Sequence, residues 1–236
     1  MNRRLFGLAL LLGLVALPLL AADKDEKADK LEALKALNDY IGDWNGTGDV
    51  ANAKPGSKTL WSETVSWGWK FKGDDAWLVL KIKDGKLYKG GEMRYLTDKK
   101  KYELTLTDVK DKKLVYLGDI KDEILTLERV DADTKDTHRL TMNLAGDGVR
   151  LIYQSSKKPS GKTLFKNEYM VACGKVGESL GAKEKKNLCI VTGGLGTSTV
   201  THKGVTYYVC CGGCRDAFNE NPEKFIKEFE AKKNKK

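Results

Sequence analysis

Cysteine is missing from the whole chain before Cys173, and the five present, Cys173, Cys189, Cys210, Cys211 and Cys214, crowd into its last third. Disulfides therefore cannot hold the larger N-terminal part, which must be stabilised by a core of its own. Histidine is scarcer still, with only His138 and His202. No serine, histidine and acid arrangement and no nucleophile elbow accompanies them, so the sequence predicts a protein that is not an enzyme. The run Gly193-Gly194-Leu195-Gly196 lacks the following lysine and serine or threonine pair that a phosphate loop requires. The formal net charge is +9, but its lysines are scattered through almost every segment and form no stripe. That pattern describes a solvated surface and speaks against nucleic acid as a partner.

Long apolar runs are also lacking, apart from residues 5–20. Arg3 and Arg4 precede that run, Ala21 and Ala22 follow it, and a charged mixture opens at Asp23. Its length and flanks read as an export signal, residues 1–22, rather than a membrane span. Leu19 and Leu20 stand three residues before the two candidate cleavage points, where a small residue is usual. An uncleaved anchor stays open as the alternative, the one case in which a membrane is a partner. No cysteine follows the run, which argues against lipid attachment. The expected location is periplasmic or extracellular.

After the signal, Leu31, Leu34, Leu37 and Ile41 recur at three- and four-residue steps and predict one short amphipathic helix. From Trp44 onward the period changes to two. In residues 61–71, Trp61, Val65, Trp67, Trp69 and Phe71 take odd positions, and the same alternation returns in Tyr102/Leu104/Leu106, His138/Leu140/Met142/Leu144, Val149/Leu151/Tyr153 and Phe165/Asn167/Tyr169/Val171. Asp84-Gly85, Gly146-Asp147-Gly148 and Ser160-Gly161 supply the intervening turns. Successive short strands without helices between them imply an antiparallel meander closed into a barrel or packed as a sandwich.

Gly42-Asp43-Trp44, followed by Asn45-Gly46-Thr47-Gly48, resembles the Gly-x-Trp opening of lipocalin-like barrels, and the stretch to about residue 172 is similar in layout to bacterial domains of the nitrobindin type. The resemblance implies a roughly ten-stranded up-and-down barrel whose interior holds a small apolar ligand. The chain is thus divided into the signal 1–22, a barrel domain 23–173, a glycine- and lysine-rich linker 174–187 and a small module 188–232. The expected fold class is mainly β: an up-and-down antiparallel barrel with a short N-terminal helix, plus a small α+β cysteine module.

Twenty residues separate Cys189 from Cys210, and three separate Cys210 from Cys214, with Cys211 between. Thiolates favour soft or borderline ions, and two ligands near a turn that opens a helix can face one ion while a third closes the site. Val200, Val205, Tyr207 and Val209 around Lys203-Gly204 predict a hairpin delivering Cys210 and Cys211 to Gly212-Gly213. Cys214 then enters a helix with Phe218, whose positive N-terminus favours thiolate. Asn221-Pro222 predicts the start of a second helix with Phe225, Ile226 and Phe229 as its buried stripe. Cys189-Ile-Val-Thr-Gly193 followed by Gly204, Tyr207, Tyr208, Cys210, Cys211, Cys214, Phe218, Pro222 and Phe225 resembles the YHS domain, a relative of TRASH-type heavy-metal modules. That resemblance implies Cys189, Cys210 and Cys214 as metal ligands, with Cys211 available as a fourth and zinc or copper as the ion; His202 has no motif to place it.

A structural disulfide joining Cys189 to one of the later three is the alternative, since exported thiols meet oxidants. Cys173 reads as a half-buried apolar residue. His138 lies on the apolar side of its strand and is a candidate for touching a barrel ligand such as haem. Trp61, Trp67, Trp69 and Trp77 read as core, and Asp108, Asp111, Asp119 and Asp122 as solvated turn charges. Three functions follow: an exported metal-binding protein for storage, delivery or sensing; a lipocalin-type carrier of small hydrophobic ligands whose cysteine module is structural or docks a partner; and, more remotely, an accessory to redox or oxygenase chemistry.

Overall fold

The period-two stretch folds into ten strands: β1 (Gly42–Val50), β2 (Trp61–Lys72), β3 (Asp75–Lys83), β4 (Tyr88–Leu96), β5 (Lys101–Asp108), β6 (Lys113–Lys121), β7 (Ile124–Val130), β8 (Thr137–Ala145), β9 (Arg150–Lys158) and β10 (Lys166–Lys175). This computed structural model describes residues 18–51, 53, 54, 57–178 and 187–233. Each strand pairs antiparallel with its sequence neighbours, and β1 pairs with both β2 and β10, so the sheet closes on itself. The expected closed barrel is present, and the sandwich alternative is excluded by that closure.

Alternation dictates which residues fill it. Along β2, Glu63, Val65, Trp67 and Trp69 are buried, while the residues between them are not. Facing strands add Leu78, Met93, Leu104, Leu127 and Val171, each completely buried. Interior side chains of this size fill a barrel with a packed core.

One end is plugged. Helix α1 (Pro18–Lys35) and the tight turn Asn38–Tyr40 bring Leu34, Leu37, Tyr40 and Ile41 into the core. Tyr102 donates its hydroxyl to the Ala33 carbonyl at 2.8 Å, and Tyr40 donates to that of Met142 at 3.1 Å. Trp44, fully buried, donates its indole N–H to the Tyr40 carbonyl at 2.8 Å, which fastens the plug to β1. Except for the start of α1, the expected export segment lies outside the described residues. Among them, no helix is long and apolar enough to cross a membrane.

The C-terminal unit consists of a hairpin, β11 (Ser198–His202) and β12 (Val205–Val209), then helices α2 (Gly212–Glu220) and α3 (Pro222–Lys233). Lys203 and Gly204 both take positive φ, 49° and 79°, as a two-residue hairpin turn requires. Asn221 accepts the Lys224 N–H through its side chain at 3.3 Å, the predicted cap of α3. β1 pairs with β2 only as far as Trp67, whereas β3 continues to Lys72, so residues 68–72 overhang β1. The C-terminal unit packs α2 against β2 at this overhang.

Several expectations need correction. Trp61 is half-buried, because it opens β2 at the unplugged end of the barrel. Trp77 is buried as expected, though with parity opposite to Ala76, Leu78 and Leu80 and under the Arg94 guanidinium 4.3 Å away. Cys173 is almost wholly buried in β10 rather than half-buried. Phe225, Ile226 and Phe229 are only half-buried, since α3 lies outermost. Asp119 sits within β6 and pairs with Lys101, not at a turn. β10 runs to Lys175, slightly past the predicted barrel boundary; residues 179–186 of the expected linker lie outside the described part.

Candidate metal centre

Two chain segments deliver the sulfurs. The first is a knuckle around Cys189: its N–H donates to the Gly194 carbonyl at 2.7 Å, and the Gly193 N–H donates back to the Cys189 carbonyl at 2.8 Å. Positive φ at Gly193, 78°, lets the chain reverse there. The Ile190 N–H donates to the Tyr208 carbonyl at 2.8 Å, locking the knuckle onto β12. The second segment is the end of β12, where the chain passes through Cys210 and Cys211 into α2. Cys211 is the extended residue preceding that helix, and Cys214 lies in its first turn.

The outcome is convergence. The ligand atoms of Cys189, Cys210 and Cys214 all lie within 4.8 Å of one another, and all three residues are buried. Cys210 Sγ is 3.4 Å from Cys214 Sγ. Among the described residues this is the one such gathering of three potential metal ligands. Zinc–sulfur bonds of about 2.3 Å in a tetrahedron place sulfurs roughly 3.8 Å apart, so the trio is spaced to hold an ion after small rotations. All five cysteines are free thiols, so the disulfide alternative is not the state described.

Cys211 stands beside the trio. Its sulfur is 4.0 Å from that of Cys210 and accepts the Trp69 backbone N–H at 3.3 Å. That donor is available because β1 has ended and no longer pairs with this stretch of β2. Gly213 makes the docking possible: a Cβ there would lie 1.7 Å from the Trp69 carbonyl oxygen. Asn38 supports the assembly from the plug, donating to the Thr192 carbonyl at 3.1 Å and accepting the Trp69 indole N–H at 3.1 Å. The Thr192 hydroxyl is 3.7 Å from Cys210 Sγ.

The chain matches no known family model and no curated protein. Hydrogen bonds from the Cys210 and Cys214 thiols hold the Cys189 thiol far below the ordinary cysteine range. The same two donors, helped by the Trp69 N–H, lower Cys211. Cys210 is pushed up by its bonds to Cys189 and Cys211, and Cys214 by burial and then by donation to Cys189. Four sulfurs gathered at a helix N-terminus, with Cys189 and Cys211 shifted towards thiolate by their neighbours, form a pocket whose protons a cation would displace.

The other sequence candidates lie elsewhere. Cys173 sits in the barrel wall near Glu63, its thiol pushed up to about 12 by burial and then by that carboxylate. His202 pairs with Glu223 at 3.1 Å and presents its ring to Phe218. His138 lines a cavity of about 480 Å³ at the unplugged end, together with Trp61, Arg129 and Glu168. Trp61 and Trp69 are eight residues apart along β2, so cavity and cysteine cluster are separated by roughly 26 Å at 3.3 Å per residue. Sequence reasoning missed Asn38, Trp69 and Thr192 as supports of the cluster. Thr192 lay within the quoted Cys189 motif, whereas nothing in the pattern marked Asn38.

Proposed function

We propose that this is a metal-binding protein whose thiolates Cys189, Cys210 and Cys214, with Cys211 as a fourth ligand, hold one thiophilic ion, zinc or copper(I). The reading rests on one observation: three buried sulfurs from two segments gathered within 4.8 Å. Buried thiols so close are an unusual expense of hydrophobic volume unless they share a cation. The YHS-like spacing of residues 188–232 supports the same reading. Export through residues 1–22 makes the role storage, delivery or sensing of metal outside the cytoplasm, not catalysis. Purified under reducing conditions and loaded with zinc, the full chain should retain about one ion per molecule through gel filtration, measured by elemental analysis. A chain that stays metal-free, with its thiols reduced, removes the proposal.

A second reading, a carrier barrel, is favoured by the cavity of about 480 Å³ at the unplugged end. Deeper in the barrel, between Trp67, Leu80, Met142 and Tyr153, only about 20 Å³ is free, room for little more than a water molecule. Any cargo is therefore held at the mouth, where the lining is partly polar. The two readings concern opposite ends of the molecule and do not compete.

A further inference from the structure

The open mouth of the barrel is built differently from its packed interior. Val50, Leu87, Val109 and Leu114 give it an apolar side, and the Trp61 ring forms a flat wall. That ring lies across β1 at Gly48, where a Cβ would come within 2.1 Å of it. The same mouth also carries Tyr88, Tyr116, Arg129, His138, Ser155 and Glu168.

The hydrogen-bond inventory of this polar side is unbalanced. Glu168 already accepts the Ser155 hydroxyl at 3.0 Å and faces His138 Nδ1 at 3.9 Å. Asp108 accepts the backbone N–H groups of Lys110 and Lys112, both at 2.8 Å. One oxygen of each of these carboxylates is thus engaged. On the donor side, Arg129 reaches Asp131 with one terminal nitrogen at 3.0 Å, but its Nε is buried without a hydrogen-bond partner. The lysines Lys86 and Lys110 stand at the rim; Lys86 lies 5.0 Å over the Trp61 ring. A purely apolar cargo would cover the rim lysines and leave the buried Arg129 Nε without a partner, whereas an oxyanion would complement this cationic side.

We propose that the barrel mouth binds a compact aromatic carboxylate, its ring against Trp61 and the apolar side, its carboxylate directed to Arg129 and His138. This rests on the carrier reading above and names its ligand class. A volume near 480 Å³ accommodates a body of one or two fused rings. Burial first, and then the Arg129 charge, lower the His138 pKa. The imidazole is accordingly neutral at pH 7 and offers one N–H without adding a formal charge, leaving the cationic role to Arg129.

Calorimetric titration of the full chain with 1-naphthoate and with its neutral twin 1-naphthamide tests the assignment. The acid is expected to bind at least tenfold more tightly than the amide. Arg129→Gln should remove that preference, and added salt should weaken only the acid. Equal binding of acid and amide overturns the anion assignment and leaves the carrier reading standing. No binding of either compound at millimolar concentration overturns both, without touching the thiolate centre. A haem complex abolished by His138→Ala, with no competition from naphthoate, would also overturn it. Should Arg129→Gln fail to fold, the acid and amide comparison on the unmodified chain still decides.

Discussion

Gly213→Ala is the perturbation that most directly links the barrel to the thiolate centre. The added methyl would stand 1.7 Å from the Trp69 carbonyl oxygen and 2.6 Å from its carbon, both backbone atoms that cannot swing aside. To restore an ordinary separation the start of α2 must retreat by roughly 1.5–2 Å. That movement carries Cys214, the next residue, away from its 3.4 Å contact with Cys210 and loosens the Trp69–Cys211 hydrogen bond. Overpacking of this kind costs about 1–3 kcal/mol, which, if it falls on the metal-competent arrangement, lowers metal affinity by about five- to 150-fold. Gly212→Ala supplies the control, because its nearest neighbour would be the flexible Arg215 guanidinium at 3.7 Å. Both substitutions gain similar helix propensity, so the difference between them isolates the clash. Competition against a chromophoric chelator gives the affinities, and thermal melts with and without metal give the stabilities. If Gly213→Ala and Gly212→Ala bind metal equally well, the close docking of α2 on β2 is wrong.

Serine at Cys189, Cys210 or Cys214 should each weaken zinc binding by at least a hundredfold, since structural sites contribute about 10–16 kcal/mol shared among three or four ligands; chelator competition reads this, and a variant indistinguishable from the unmodified chain is not a ligand. Asn38→Ala should lower stability by about 1–3 kcal/mol, because the buried Thr192 carbonyl and Trp69 indole N–H lose their partner; denaturant unfolding measures it. Cys173 should resist thiol reagents at pH 8 until the chain unfolds, its thiol being raised to about 12. Because the folded chain holds that proton more tightly than the unfolded one, the stabilisation is complete below about 9 and lost as pH rises towards 12. Stability should therefore fall less steeply over that window in Cys173→Ala than in the unmodified chain.

The barrel was legible because alternation along a strand is imposed by geometry. Val65, Trp67 and Trp69 are buried on one face as their alternation placed them, and the Gly42-Asp43-Trp44 junction opens β1 as the resemblance implied. The trio was legible for a related reason: Cys210 and Cys214 share one turn, and the hairpin at Lys203-Gly204 announced itself through its turn residues. What stayed hidden depends on contacts between distant segments. Asn38 and Trp69 support the cluster across more than a hundred residues, and no local pattern encodes such a meeting. The character of the mouth was equally invisible, since Arg129, His138 and Glu168 come together only when β7, β8 and β10 close the sheet. His138 alone was noticed, from the parity of its strand.

The overhang of β2 beyond β1 has a consequence for the life of the chain before it is complete. A strand end with unpaired amides, lined by Trp69 and Phe71, is a template on which a second molecule could add its own strand. α2, Cys211 and Gly213 cover that template, so the unit that carries the cysteine cluster also shields the strand end from self-association. A chain cut short before residue 188 should be prone to clump even though every strand of its barrel is present, and the nascent protein is vulnerable until α2 has emerged and docked.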